Sequence, residues 1–385
     1  MIDQSYQFNV LGFDMDETLA QYRVPTLVNY IFTNQIKFLV NERHYPMVLS
    51  QIHVEDHASF CARGFILDIE KGVLVMLDKK GVIRSAHQNG RPLSEIEVKN
   101  LYGQSMIPDF YENLRENYRN SERVHIFDDI FTVQCVPILN ELFRLRHDNK
   151  LPEKTTHRQV WNDVLESLYH VYGDKEGCYY SVAPKRLADF IHRSHPHLLE
   201  KIKFLKHKKG IKFFILTSST HTYAEKVLSH IFEDHENWED VFELILFDAR
   251  KPHFFTKYSE FLTCEAIPRP TKTPDMGKKY SQGCYELLQQ WLAKLIPDPK
   301  VLYFGDSLQS DVHPISTRTQ WKVCGIANEL NSDFHYGKNS EHWQSCMAFM
   351  DGSHSLWYDL FDDHSHKVGK NVIDLLEEIH PPLQD

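Results

Sequence analysis

Asp14 and Asp16 are the residues of this sequence whose types and spacing could most directly do chemistry. They follow a short apolar run, residues 8–13, which is too brief for a core helix and predicts a buried strand. Residues two apart in an extended chain point to the same side, so the two carboxylates should lie close together. Two such charges raise each other's pKa or hold a cation. An aspartate nucleophile and an aspartate acid/base around Mg²⁺ would fit this pattern, but so would a polar turn that caps a helix.

The same segment does not fit a calcium-binding EF-hand loop. Counted from Asp14, the sixth position is Leu19, where such a loop needs Gly, and the twelfth is Pro25, where it needs Glu. The choice between a catalytic pair and a capping turn therefore depends on what the other predicted strand ends carry.

Polar residues also follow three later apolar segments, in places where parallel strands would end. They are Thr217 and Ser218 after residues 211–216, Lys251 after residues 242–247, and Asp306 with Asp311 after residues 301–304. Hydroxyl and backbone N–H groups at a helix start suit phosphate oxygens, and a lysine can neutralise charge on a nucleophile and a phosphoryl group. Asp306 could ligate a metal and Asp311 could brace the site. Taken singly, each group also fits an ordinary helix cap or a solvated surface.

The segments that carry these groups alternate between strand and helix patterns. The alternation consists of predicted strands at 211–216, 242–247, 301–304 and 321–326, with helices at 222–232 and 284–295 and a proline-containing loop before the second helix. This order predicts an α/β fold with a doubly wound parallel sheet, whose site lies along the carboxyl ends of the strands. The polar groups would therefore meet at one edge of the sheet.

Roughly 180 residues lie between the first strand and the rest of the core, too many for a loop, and they predict an inserted cap of mixed α and β structure. The cap patterns are helices at 28–40 and 160–172, a β meander at 64–83 with turns at Gly72 and Gly81, an irregular polar segment at 84–122, renewed apolar spacing at 124–145, and a helix over 184–209 ending at Gly210. We place the borders at 1–20 for the first part of the core, 21–204 for the cap, and 205–385 for the rest of the core with a C-terminal extension.

The overall composition favours a soluble cytoplasmic protein. A hydrophobic content of 42% and a charged content of 25% are typical of globular proteins. The net charge of −10 argues against nucleic acid or a membrane as partner, so a small anionic substrate must find positive charge locally. No apolar run is long enough to span a membrane, and the N-terminus lacks a signal or transit pattern. The seven cysteines form no close pairs, as expected of reduced thiols, and an oligomer is possible.

Four short segments resemble, in chain order, the four motifs of the haloacid dehalogenase-like hydrolases. They are DMDET at 14–18, ILTSS at 215–219, Lys251, and GDSLQSD at 305–311. By this resemblance Asp16 implies a phosphatase, because the family's dehalogenases lack this second aspartate. FILTSSTHTY, FDARKPHFF and VLYFGDSLQSDV are similar to the cytosolic purine 5′-nucleotidase group. A looser similarity runs from ERVHIFDDIF in the cap to the tail around Trp343 and 371–379. The resemblance implies a haloacid dehalogenase-like core and a Mg²⁺-dependent phosphomonoester hydrolase, in particular a 5′-nucleotidase acting on nucleoside monophosphates.

The resemblance also implies roles for the core residues. Asp14 would attack phosphorus and form an aspartyl-phosphate, and Asp16 would protonate the leaving oxygen and then accept a proton from water. Mg²⁺ would be bound by Asp14, Asp306 and the backbone carbonyl of Asp16, with Asp311 as the remaining acidic member of the metal-binding group. The phosphoryl oxygens would be bound by Thr217, Ser218 and Lys251.

Within the cap the resemblance is less complete. By likeness to the purine nucleotidase, Phe131 would stack on the base and Asp128 would lie near the base edge. That enzyme has Asn in place of Asp128, however, and Arg where this chain has Asn162. Phe131 also fits a core position in a helix beginning there. Three functions stay open: a nucleotidase, a phosphatase or phosphotransferase for a non-nucleotide monoester, and a low-activity regulatory or binding protein on the nucleotidase fold.

Overall fold

The computed structural model describes residues 8–326 and 372–379, apart from positions 62, 79, 118–120, 174 and 234. These residues divide into two compact units. The core unit consists of 8–22, 186–326 and 372–379, and the cap unit consists of 23–185. The predicted cap, 21–204, covers residues 23–185 and also includes 21–22 and 186–204, which belong to the core unit. Trp343, to which the family likeness extends, lies outside the described residues.

Both units combine strands and helices. The strands are β1 (Val10–Phe13), β2 (Phe65–Asp68), β3 (Val73–Leu77), β4 (Ile83–Gln88), β5 (Arg91–Pro92), β6 (Val124–Phe127), β7 (Lys212–Leu216), β8 (Leu244–Phe247), β9 (Phe261–Thr263), β10 (Pro270–Thr271), β11 (Lys278–Gln282), β12 (Val301–Gly305) and β13 (Lys322–Gly325). The α-helices are α1 (Val24–Asn41), α2 (Glu95–Tyr102), α3 (Tyr111–Asn117), α4 (Cys135–His147), α5 (His157–Val171), α6 (Tyr179–Val182), α7 (Leu187–Phe190), α8 (Leu198–Lys209), α9 (His221–Ile231), α10 (Tyr285–Leu295), α11 (His313–Arg318) and α12 (Val372–Ile379). Short 3₁₀ helices occur at Met47–Gln51, Val54–Phe60, Ala183–Lys185, Trp238–Val241 and His253–Phe255. In the described parts of the chain, no helix is both long and apolar enough to cross a bilayer.

The core unit is built on an eight-stranded sheet in the order β10–β9–β11–β8–β7–β1–β12–β13. The strands from β11 to β13 in this order run parallel, and β9 and β10 are antiparallel additions at one edge. The chain proceeds outward from β1 through β7 and β8 to β11, and then returns to β12 on the other side of β1. Sheets of this kind bind ligands where the strand order reverses, at the carboxyl ends of the strands. The predicted doubly wound parallel sheet is therefore confirmed, and its switch point lies beside β1.

Strand β1 occupies the centre of this arrangement. Val10 lies opposite Lys212 of β7 and Val301 of β12, and the pairing continues on both sides to Phe13. All four β1 residues are buried, which explains why the strand reads as a continuous apolar run rather than an alternating one. Its carboxyl end delivers residues 14–16 to the switch point.

Two sequence-based predictions for the core unit are wrong. The helix predicted over 184–209 is broken, because α7 ends at Phe190, Ile191 then forms an antiparallel bridge with Tyr22, and α8 begins only at Leu198. Pro196 lies in the interruption, and proline lacks the N–H that a continuous helix needs. The loop predicted before α10 contains β9, β10 and β11. Strand β11 is polar, and its Lys279 pairs with two glutamates, so the local pattern did not indicate a strand.

The cap unit contains a five-stranded antiparallel sheet in the order β5–β4–β3–β2–β6, together with α1–α6. The predicted β meander over 64–83 corresponds to β2, β3 and the start of β4. The prediction that 84–122 is irregular is wrong, because the segment holds most of β4 together with β5, α2 and α3. Ser94 and Glu97 form a reciprocal capping box at the start of α2, a sequence signal that could have identified this helix.

We predict that Gly12→Ala destabilises the core unit by about 1–3 kcal/mol, because a Cβ at position 12 would lie 2.3 Å from the ring of Phe214 on the adjacent strand. Urea-induced unfolding would measure the loss. Combining Gly12→Ala with Phe214→Leu should recover part of it, since the smaller side chain leaves room. Unchanged stability of Gly12→Ala would show that β1 and β7 are not packed this closely.

Candidate active site

Asp14 stands directly after β1, at the switch point of the core sheet. Its backbone N–H donates to the carbonyl of Phe304 at 2.8 Å, so the pairing of β1 with β12 continues through this residue. The residue is only 6% exposed, and a carboxylate so deeply buried requires a partner. That partner is Lys251, whose Nζ lies 2.9 Å from Asp14 Oδ1.

Lys251 enters the site from the turn that follows β8. In this turn Asp248 and Arg250 have φ values of +45° and +55°, which reverse the chain direction over a few residues. The Lys251 ammonium contacts Asp311 Oδ1 at 2.6 Å and donates to Tyr303 Oη at 3.0 Å. Residues from three different strand ends therefore converge on one buried cation.

After β12, Asp311 is held in a single π-helical turn, Leu308–Val312. Ser307 caps this turn, because its Oγ accepts the N–H of Ser310 at 3.1 Å. The Ser307 N–H in turn donates to Asp311 Oδ2 at 3.2 Å. A Cβ on Gly305 would lie 2.5 Å from Asp311 Cγ, so glycine is required for this close approach.

Asp14, Asp306 and Asp311 form a buried acidic cluster whose nearest carboxylate oxygens lie within 4.8 Å of one another. Burial raises the pKa of Asp14 to about 8, with Lys251 opposing this effect and Asp311 adding to it. Burial would lower the pKa of Lys251, but the charges of Asp14 and Asp311 raise it above its usual value, so Lys251 is a cation. Three carboxylates around one ammonium leave an excess of negative charge. The all-oxygen donor set and this excess charge fit a hard divalent cation such as Mg²⁺.

The carboxylate of Asp16 is directed at hydroxyl groups rather than at this cluster. Tyr22 Oη donates to Asp16 Oδ1 at 2.6 Å, and Ser219 Oγ donates to Asp16 Oδ2 at 2.7 Å. Since the one hydrogen of Tyr22 is used in this way, Tyr22 accepts from Tyr223, whose Oη lies 3.0 Å away. Burial raises the pKa of Asp16, and the hydrogen bonds from Tyr22 and Ser219 oppose that effect.

Thr217 and Ser218 lie at the end of β7, as the sequence predicted. Thr217 is fully buried, and its Oγ1 accepts the N–H of Ser219 at 3.1 Å. Ser218 is exposed, and its Oγ accepts the backbone N–H of Lys251 at 2.9 Å. Both hydroxyls therefore brace the loops of the site, and their contact with phosphoryl oxygens stays a prediction.

The cap residues Phe131 and Asp128 lie in the turn between β6 and α4. The alternative that places Phe131 in a helix beginning there is wrong, because α4 starts at Cys135. Phe131 is half-buried, its N–H donates to Asp129 Oδ1 at 2.8 Å, and its ring makes an edge contact with Tyr172 at a centroid distance of 6.5 Å. Asp128 is 4% exposed. Both residues belong to the cap unit, whereas all the other predicted site residues belong to the core unit.

Sequence reasoning missed three hydroxyl groups of the core unit. Tyr303 sits inside the apolar pattern of β12 and reads as an ordinary strand residue. Tyr22 lies six positions beyond Asp16, in a segment with no regular pattern, and Ser219 was considered only as part of a helix start. No local signal marks any of them. Ser219 and Tyr303 contact residues that are distant in sequence, and Tyr22 lies in a segment without a regular pattern.

The family comparison agrees with this geometry. A model of the 5′ nucleotidase family matches residues 5–378. This chain belongs to the 5′ nucleotidase family. This match confirms the resemblance inferred from the motifs. It also confirms the prediction of a phosphoric monoester hydrolase, at the level of the family.

Individual relatives in the 5′ nucleotidase family are similar over most of the chain. Human 5′-nucleotidase domain-containing protein 1 is 27% identical over 343 residues, which cover 84% of this chain and 72% of that protein. Human 5′-nucleotidase domain-containing protein 2 is 26% identical over 358 residues, covering 88% of this chain and 65% of that protein. Among solved structures, the HAD-hydrolase YfnB of Bacillus subtilis is similar with a TM-score of 0.30 and 13% identity, covering 86% of this chain and 94% of that one.

Proposed function

We propose that this chain is a Mg²⁺-dependent 5′-nucleotidase that hydrolyses nucleoside monophosphates through an aspartyl-phosphate on Asp14. The observation that carries the proposal is the contact of Asp14 with Lys251 inside a buried acidic cluster, with Asp16 two residues away. Such a site offers a nucleophile, a proton donor and charge stabilisation together. Membership of the 5′ nucleotidase family supports the nucleotide as substrate.

In the first half of the reaction, a carboxylate oxygen of Asp14 attacks phosphorus. The bond from phosphorus to the ester oxygen breaks as the new bond to Asp14 forms, and the proton of Asp16 goes to the leaving nucleoside oxygen. Lys251 holds Asp14 Oδ1, which leaves the other carboxylate oxygen for the attack.

In the second half, water attacks the phosphorus of the aspartyl-phosphate and Asp16 takes the proton of that water. The bond between Asp14 and phosphorus then breaks, which releases phosphate and restores both aspartates. Tyr22 and Ser219 hold the Asp16 carboxylate in one orientation through both steps. Burial favours the protonated form of Asp16, which the first step requires.

Asp14, Asp306 and the backbone carbonyl of Asp16 would hold Mg²⁺, with Asp311 in the same acidic cluster. Bound there, the ion would neutralise negative charge on the phosphate and the carboxylates. Lys251 already has Asp14, Asp311 and Tyr303 as partners, so a phosphoryl oxygen must share one of the ammonium hydrogens of Lys251 with them.

We also propose a cytoplasmic location, which the free thiols of the described cysteines support.

We predict that Asp14→Asn abolishes phosphate release, by several orders of magnitude, while the protein stays folded, because an amide cannot form the acyl phosphate. Phosphate release from a nucleoside monophosphate and circular dichroism would measure the two effects. Asp298→Asn, the same change at an exposed position of the core unit, should leave turnover unchanged. More than a few per cent of residual activity in Asp14→Asn would rule out the covalent mechanism.

We predict that a chelator removes activity and that added Mg²⁺ restores it. Asp306→Asn should raise the Mg²⁺ concentration needed for half-maximal activity by about tenfold or more, since one charged oxygen ligand is lost. A Mg²⁺ titration of phosphate release would measure this shift, and isothermal titration with Mg²⁺ would show it without turnover. Activity that persists in excess chelator would contradict the assigned metal.

We predict that Phe131→Ala raises KM for a nucleoside monophosphate by about tenfold or more, because stacking on an aromatic ring contributes roughly 1–3 kcal/mol per base. A small artificial phosphate ester has no base, so Phe131→Ala should hydrolyse it with the same KM and kcat as the wild-type protein. Phe38→Ala, at another half-buried phenylalanine of the cap unit, is the matched control and should affect neither substrate. Equal losses on both substrates would show that Phe131 is a packing residue.

A further inference from the structure

The Lys251 ammonium is surrounded by three protein oxygens. It has three N–H donors, and three oxygens lie within hydrogen-bond distance: Asp14 Oδ1 at 2.9 Å, Asp311 Oδ1 at 2.6 Å and Tyr303 Oη at 3.0 Å. The Lys251 side chain is 2% exposed, so water cannot readily replace any of them. Two of the acceptors are charged and belong to the predicted motifs. The third, Tyr303, is a neutral group with no role in the proposed mechanism.

The direction of the Tyr303 hydroxyl is fixed by a second contact. Tyr303 Oη lies 2.9 Å from the carbonyl oxygen of Leu216, the last residue of β7. The carbonyl can only accept and the Lys251 ammonium can only donate, so the single phenol hydrogen points away from Lys251 and only lone pairs face it. Burial and the negative charges of Asp311 and Asp14 raise the pKa of Tyr303 far above its usual value, which keeps the hydroxyl neutral. Tyr303 therefore acts toward Lys251 purely as an acceptor.

The ring of Tyr303 is itself held in place by the sheet. It belongs to β12, is fully buried, and stacks on Trp321 at a centroid distance of 6.3 Å with an interplanar angle of 26°. The ring of Phe214, on β7, also lies 6.3 Å from the Tyr303 ring, centroid to centroid, and is tilted by 31° relative to it. Lys251, by contrast, reaches the site from a loop on a flexible four-carbon side chain. The two carboxylates alone could bind its ammonium in more than one position.

We propose that Tyr303 is a positioning residue for Lys251, which it ties to the end of β7 so that the ammonium stays at Asp14 Oδ1. This inference rests on the proposed role of Lys251 in stabilising the nucleophile and the phosphoryl group. A tyrosine suits the place because a third carboxylate would add negative charge, whereas a phenylalanine would leave one ammonium N–H without an acceptor in a buried site.

Tyr303→Phe tests the proposal, because it keeps the packed ring and removes one oxygen. We expect kcat to fall by about tenfold or more with KM nearly unchanged, for a nucleoside monophosphate and a small artificial ester alike, since Lys251 serves the common phosphoryl group. The matched control is Tyr280→Phe, another buried tyrosine of the same sheet, whose hydroxyl accepts the N–H of Asp275 at 3.1 Å. It should leave kcat unchanged.

A double-substitution cycle separates an effect through Lys251 from loss of packing. Tyr303→Phe should lower the melting temperature of the wild-type chain by a few degrees, and by clearly less when Lys251→Met is already present, because only the bond from Tyr303 Oη to the Leu216 carbonyl is then lost. Wild-type kcat in Tyr303→Phe, or an equal fall in melting temperature in both backgrounds, would overturn the proposal. If Lys251→Met does not fold, the kcat of Tyr303→Phe against Tyr280→Phe decides.

The melting experiment also distinguishes this proposal from the proposed function. If the wild-type chain releases no phosphate from any monoester, the nucleotidase proposal fails. The coupling between Tyr303 and Lys251 would still appear in the melting temperatures, since it needs no substrate.

Discussion

The buried ammonium of Lys251 is the constraint on which the rest of the site depends. An ammonium taken out of water is tolerated only if charged partners and hydrogen-bond acceptors surround it. Its partners Asp14 and Asp311 follow β1 and β12, whereas Lys251 follows β8. The carboxyl ends of β1, β8 and β12 must therefore lie at the same edge of the sheet. A parallel sheet with β1 next to β12 satisfies this requirement.

This constraint explains why much of the site could be predicted from the sequence. A residue that must face a buried charge is restricted to a few types, and in a parallel sheet it must follow an apolar strand. Asp14, Lys251 and Asp311 meet both conditions, and their positions after apolar segments, together with the motifs, make them candidates from the sequence. The hydroxyls of Tyr22 and Tyr303 do not meet them, because a tyrosine in a strand or a turn is also an ordinary packing residue. Only the folded chain shows that these hydroxyls contact Asp16 and Lys251.

The errors in the predicted elements have a similar origin. The pattern of residues 184–209 is helical when considered locally, but Ile191 pairs with Tyr22, far away in sequence, and this tertiary contact replaces a stretch of helix. Strand β11 was missed because its polar residues are stabilised by pairing with β8 and by the ion pairs of Lys279, none of which leaves a local pattern. Apolar patterns identified the elements that bury apolar residues and failed where polar residues are held by long-range pairing.

The same distinction separates the phosphate chemistry from the choice of leaving group. Phosphoryl transfer needs charged groups at defined positions, and Asp14, Lys251 and Asp311 are partners of one another, which restricts the residues that can replace them. Recognition of a base needs an aromatic face and a few polar edges, which many residue types supply. Phe131 lies in a turn rather than in a helix or strand, and it is half-buried. More residue types can therefore occupy position 131 than position 251. Differences from the purine nucleotidase at Asp128 and Asn162 are therefore compatible with an unchanged core. Under the proposed function, substrate choice can change in such a cap while the chemistry of the strand ends is retained.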